Sequence, residues 1–137
     1  MWTYATCGMS QPTDSNPVEL HLFSPTRTDA HVELLTSIAH YHVHGQIIGL
    51  GHTVNFGRPW IPGSNCDYGL ISRPYLDGPA LEEFRSSAFE NLVQCLWLLP
   101  ITKAERDYKR VHGLEALEQK FEKLRVNYVD PKRPSIV

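Results

Sequence analysis

The chain has 137 residues, with Lys+Arg 13 set against Asp+Glu 15 for a net charge of −2, a length that supports one domain with a buried core and needs no metal or disulfide staple. Near-neutral charge, with the basic residues gathered mainly after Lys103, argues against a dedicated nucleic-acid binder. No apolar run reaches the roughly 18 residues that a membrane-crossing helix requires, and the three cysteines, Cys7, Cys66 and Cys95, match neither a disulfide framework nor a paired zinc set, so a reducing cytoplasm is the expected location.

Residues 2–10, rich in Trp, Thr, Tyr and Cys, read as a strand that starts at once, which predicts that the chain lacks the N-terminal lead of a larger domain. Residues 18–24 alternate, with Val18, Leu20 and Leu22 on one face, and the polar loop between the two strands predicts antiparallel neighbours. Thr28 or Asp29 caps a helix over 29–44, in which Val32, Leu35, Ile38 or Ala39 and His42 recur at helical spacing and Gly45 ends the run.

The stretch from Gly49 to Pro79 is dense in glycine, proline and aromatic residues, a composition that predicts a compact, self-packed loop presenting a surface. A strand over 68–73 falls within it. Asp77, Glu82 and Glu83 are read as capping and solvating a helical turn at 79–88, and Asn91 to Ile101, apolar on both faces, as a central strand. Thr102 with Glu105 forms a capping box that starts a helix ending at His112 and Gly113. Leu114, Leu117, Phe121 and Leu124 then lay one stripe along another helix. Asn127 to Val129 reads as an edge strand before Pro131 and Pro134 stop the pairing. The fold class is α+β, a mixed, largely antiparallel sheet packed with helices.

Taken in order, Gly51-His52-Thr53-Val54, the Pro-rich loop, the run Val93 to Thr102 leading into Lys103-Ala104-Glu105, Gly113 to Leu117, and Asp130 to Arg133 resemble the suppressor of fused domain. The likeness extends to Trp2-Thr3-Tyr4 and Gly8-Met9-Ser10, so that it spans nearly the whole chain as a single domain, 1–137. It is closer in wording to the short single-domain bacterial members than to the animal Hedgehog-pathway regulator. What the resemblance implies is an α+β domain that binds protein and performs no catalysis. In the animal protein it forms one lobe of a clamp that grips a peptide as an added strand; the bacterial relatives are implied to be immunity proteins that neutralise a toxin. The likeness accounts for one lobe of that clamp only, which leaves the partner unidentified.

Several residues carry chemistry that plainer roles also explain. His40 and His44 share a helix face at the spacing of metal-binding helices, and with His31 and His52 they form the set on which a small metal-dependent hydrolase would be built. Tyr41 stands where the zinc-hydrolase pattern needs a glutamate, so the expectation is no metal ligand and no cofactor. Cys66 with His52 offers a nucleophile and base only if the two meet, and the expectation is no catalytic residue; Cys7 and Cys95 read as core. Gly49-Leu50-Gly51 lacks the Lys-Ser/Thr of a phosphate loop. Lys103 with Asp107 and Glu105 with Lys109 read as helix-surface pairs, and Lys132-Arg133 as part of a solvated face.

The partner-binding candidates are His52, Arg58, Trp60, Tyr68, Arg73 and Tyr75, because Trp, Tyr and Arg dominate protein-binding hot spots. For Trp60 and Tyr68 the competing role is pinning the loop to the sheet. The expected function is stoichiometric protein binding, most specifically as a bacterial immunity protein against a toxin. The alternatives are a regulator that binds an extended peptide at a sheet edge and the metal-dependent hydrolase.

Overall fold

A computed structural model of the chain describes residues 1–73, 83–84 and 92–137. Its elements in chain order are β1 (Trp2–Ala5), β2 (Val18–Ser24), α1 (Asp29–His44), β3 (Thr53–Asn55), β4 (Tyr68–Ser72), β5 (Glu83–Phe84), β6 (Val93–Ile101), α2 (Lys103–His112) and α3 (Leu114–Leu124). The strands run in the order β1-β2-β6-β4-β3, with β5 pairing β6 off that path. The sheet is mixed, because β1–β2, β3–β4 and β5–β6 are antiparallel whereas β2–β6 is parallel. The α+β expectation holds.

The chain divides into two compact units, one of Met1–Leu50 with Ile71–Leu98 and the other of Gly51–Leu70 with Leu99–Val137. In the first, β2 sits between β1 and β6, and all seven of its residues are buried. The expected alternation fails there because Glu19, His21 and Phe23, on the second face, are covered as well as Val18, Leu20 and Leu22. Phe23 meets Trp97 of β6 edge to face, with centroids 5.8 Å apart, an arrangement favoured by the ring quadrupoles.

Helix α1 occupies the expected span. Its Thr28 hydroxyl accepts from the Ala30 N–H at 3.2 Å, satisfying one orphan donor of the first turn. The Thr28 N–H in turn donates to the Tyr4 hydroxyl at 2.8 Å, which ties the start of the helix to β1. The buried stripe is His31, Leu35, Ile38 and His42. It is rotated from the expected one: Val32 is 52% exposed, and His31, not Val32, faces inward.

In the second unit, the capping box of α2 is formed as expected, with both the Thr102 side chain and the Glu105 carboxylate bonded to backbone N–H groups. Gly113, at φ 92° and ψ 165°, ends α2 and leads directly into α3. Its positive φ is one that glycine adopts without steric cost, although its ψ lies outside the left-handed helical region. Leu117 and Phe121 are the buried stripe of α3, and Leu124 is 55% exposed.

Three local expectations are corrected. The first strand stops at Ala5, and residues 6–10 instead fold around a buried carboxylate, as described below. Glu83–Phe84 is extended and paired with β6, in place of a helical turn there; Asp77 and Glu82 lie outside the described residues. Residues 128–129 form a turn, and no edge strand forms at 127–129. Their bonds are local: the Asn127 side chain accepts from the Val129 N–H, and the Asn127 carbonyl from the Asp130 N–H.

Candidate functional site

Within the second unit, residues 53–70 of the Gly- and Pro-rich stretch form a hairpin, not a plain loop. β3 and β4 pair Thr53 with Leu70, Val54 with Gly69 and Asn55 with Tyr68, and the connection between them closes on itself. Phe56 N–H donates to the Asp67 carbonyl at 2.9 Å, Trp60 N–H to Cys66 at 3.0 Å, and Ser64 N–H to Ile61 at 3.0 Å. Gly57 and Gly63 turn the chain at φ 73° and 87°, values that L side chains rarely adopt.

At the base of this connection, the Ser64 hydroxyl accepts from the Trp60 indole N–H and from the Cys66 N–H, each at 3.1 Å. A buried indole N–H needs such a partner. Trp60 is only 5% exposed, so it takes the pinning role and holds the shape of the loop from within. Nothing in the sequence marks Ser64 as the acceptor of two inward donors.

The other partner candidates fall as follows. His52 and Arg58 are exposed, and Tyr68 is half-buried beneath the Arg106 guanidinium, 4.5 Å from its ring centroid, a cation–π contact. Arg73 is exposed just past β4 but belongs to the first unit. Tyr75 lies outside the described residues. Of the candidates in the second unit, Arg58 and His52 are therefore exposed, Tyr68 is half-buried and Trp60 is buried.

Cys66 is buried at 1% exposure whereas His52 is exposed. Burial pushes the Cys66 thiol up, and the charge of Arg133 and the bond from Ser64 only partly oppose this. A thiol kept protonated in an apolar setting is a poor nucleophile. Cys95 is half-buried and its thiol is likewise pushed up, first by burial and then by the charge of Glu19. Cys7, expected in the core, is exposed, because β1 has ended two residues earlier.

Sequence reasoning missed a buried ion pair between Glu105 and Arg133. Arg133 Nη1 and Nη2 donate to the two oxygens of Glu105 at 2.7 and 2.8 Å, and Nη2 also donates to the Pro100 carbonyl at 3.1 Å. Ile136 N–H donates to the same carboxylate at 3.2 Å, and the Arg133 guanidinium lies 5.6 Å from the Phe121 ring centroid. Burial works against the charge of Arg133, but the hydrogen bonds and charge of Glu105 more than offset it and raise its pKa. The chain after α3 is thus fastened to the start of α2. This corrects two readings: Glu105 is fully buried and serves no surface pair with Lys109, and Arg133 is not part of a solvated basic face. The Lys103–Asp107 surface pair is present at 3.6 Å.

In the first unit, Glu19 gathers the residues after β1. Its carboxylate accepts from the Thr6 hydroxyl at 2.6 Å, from the N–H groups of Gly8, Met9 and Ser10 at 3.3, 3.1 and 2.9 Å, and from the Ser10 hydroxyl. Burial pushes this carboxyl up, but the bonds from Ser10, Thr6 and Met9 outweigh it and hold the group below the ordinary carboxylate value. A groove of roughly 460 Å³ runs between these residues and α1, lined by Tyr4, Cys7, Met9, Val32, His40 and His44 among others.

The histidines fall in different settings. His31 is fully buried with Nε2 2.9 Å from the Ser24 hydroxyl, and Nδ1 of buried His42 accepts from the Ile48 N–H at 2.9 Å. His40 and His44 are exposed, and His52 belongs to the other unit. Among the described residues, no group of three or more His, Cys, Asp or Glu is placed to hold a metal ion. Nor is any described helix long and apolar enough to cross a membrane.

Comparison with known proteins places these features in a family. The model of the suppressor of fused protein (SUFU) family matches residues 1–134. The fold is similar to that of a suppressor of fused homologue from Neisseria gonorrhoeae, with 36% identity and a TM-score of 0.84 over 99% of this chain and 70% of that one. It is also similar to a chain of the Sufu-Fu complex, at 11% identity and TM-score 0.73 over 98% of this chain and 69% of that chain. Drosophila Suppressor of Fused matches at 10% identity and TM-score 0.76, over 98% of this chain and 38% of that one. The two distant likenesses concern fold alone. Comparison with curated protein sequences gives no match.

Proposed function

The chain belongs to the suppressor of fused family, and from that membership we propose that it is a non-enzymatic domain that acts by stoichiometric binding of another protein. In its specific form the proposal is a bacterial immunity protein, cytoplasmic, that neutralises a toxin encoded nearby by covering its active site or entrance. The observation that carries the binding reading is the internally anchored loop of the second unit. Trp60, Ser64 and Cys66 fix its backbone from inside while Arg58 and His52 remain exposed. A loop ordered before it meets a partner loses little entropy on binding, and an exposed Arg can pair two-pronged with a partner carboxylate. The likeness to a Neisseria homologue supports the bacterial setting, and the relative solved as a Sufu-Fu complex supports protein binding.

The test is co-purification of the full-length gene product with the proteins encoded beside it, followed by mass spectrometry of what stays bound. One stoichiometric neighbour whose toxicity this protein relieves, and Arg58→Ala restores without unfolding it, is the expected result. Absence of any bound neighbour overturns the immunity reading.

A second reading is a regulator that takes an extended peptide at a sheet edge. What favours it is β3, which ends the described strand order with β4 as its only neighbour there, leaving backbone groups to which a peptide could add. It predicts affinity for an isolated peptide, whereas toxin neutralisation requires the folded partner.

A further inference from the structure

His40 and His44 lie one helical turn apart near the end of α1, both exposed, with ring centroids 4.4 Å apart. We propose that they form a two-point chelate for a late divalent transition ion, Ni²⁺, Cu²⁺ or Zn²⁺, independent of the protein-binding function. Alternation along the helix selects this pair. His42, between them in sequence, turns inward and spends Nδ1 on the Ile48 N–H, whereas residues four apart share a face.

Imidazole nitrogen is a good ligand for these ions. Holding two imidazoles on one rigid helix makes the second bond intramolecular, so the pair binds far more tightly than either ring alone. The local field favours a cation as well. Helix α1 ends at His44, where its unsatisfied carbonyls carry the negative end of the helix dipole. Its only formally charged residues are Asp29 and Glu33, with no Lys or Arg along its length. The groove that the pair helps to line carries Tyr4, Thr6, Cys7, Gln11 and Thr36 besides smaller and apolar groups, and no lysine, arginine or carboxylate is among its lining residues. Since no third His, Cys, Asp or Glu among the described residues is placed to join, water completes the coordination shell. Both side chains are exposed and can rotate to bring one nitrogen each onto a common ion.

The test uses the full chain without a histidine tag, titrated calorimetrically with NiCl₂ and separately with ZnCl₂. The expected result is saturable binding of one ion per chain that weakens by about a hundredfold in either His40→Gln or His44→Gln, the loss of a second tethered contact. The His112→Gln control on α2 retains wild-type affinity. Thermal melts give an independent readout: saturating ion raises the midpoint of the wild type and not of the His40→Gln/His44→Gln double variant. Because both sites are exposed, circular dichroism should show all variants folded. Unchanged affinity in the double variant, loss in only one of the two single variants, or no saturable binding by the wild type would each overturn the chelate.

Discussion

Glu105 and Arg133, separated by 28 positions, meet as a two-pronged ion pair in which the side chains are 0% and 4% exposed. The same carboxylate also accepts the Thr102 N–H of the capping box at 2.8 Å. One side chain therefore both starts a helix and anchors the tail. Removing Arg133 leaves a buried carboxylate without its counter-charge, and Arg133→Ala is expected to cost about 3–5 kcal/mol. Lys132→Ala, at an exposed neighbour, should change stability by no more than about 0.5 kcal/mol. Urea unfolding of the two variants checks both, and equal midpoints would refute the anchor.

Glu19 predicts a second stability effect. Glu19→Gln replaces a carboxylate that accepts five donors with an amide that has one acceptor oxygen and its own N–H groups to place. The expected loss is about 1–3 kcal/mol. The sign with pH follows from the lowered carboxyl value: the contribution is present above the ordinary 4.5 and is lost as pH falls through the lower folded value. The variant should accordingly lose less stability between pH 5 and acid than the wild type, by denaturant midpoint at each pH.

His31 acts in the same direction through a different cause. Burial holds its imidazole neutral below the ordinary value of 6.5, so the unfolded chain takes up a proton first as pH drops. Stability is full above 6.5 and declines below it until the folded value is reached. His31→Gln, which does not titrate, should flatten that part of the stability–pH curve, and a slope identical to that of the wild type would refute the assignment.

The cysteines should separate by reactivity. Cys7 is exposed, whereas burial raises Cys66 and Cys95. Native protein should react quickly with a thiol reagent at Cys7 and slowly at the other two, with all three reacting in urea. Cys7→Ser should abolish the fast phase.

The loop makes a paired prediction about partner binding. Arg58→Ala should weaken binding while leaving the thermal midpoint unchanged. Trp60→Ala, which empties a buried indole site and removes one of the two donors to the Ser64 hydroxyl, should cost about 3–5 kcal/mol and weaken binding only through loss of loop order. Measuring affinity and stability for both variants distinguishes surface from scaffold.

Helix limits and the central strand were legible in the sequence because local chemistry sets them. Thr28 and Thr102 cap, Gly45 and Gly113 end helices, and Val93 to Ile101 is apolar on both faces, each signal lying at or within the element it sets. The family was legible for a different reason, as ordered blocks spread over most of the chain. What tertiary structure alone decided is the inside and outside of polar and aromatic groups. The sequence cannot reveal that Arg133 finds Glu105, that Thr6 to Ser10 bend to satisfy Glu19, or that Trp60 turns inward to Ser64. Each depends on a buried polar group meeting a partner that a distant segment or a loop closure delivers, and the desolvation cost that selects those pairings exists only once the chain has folded.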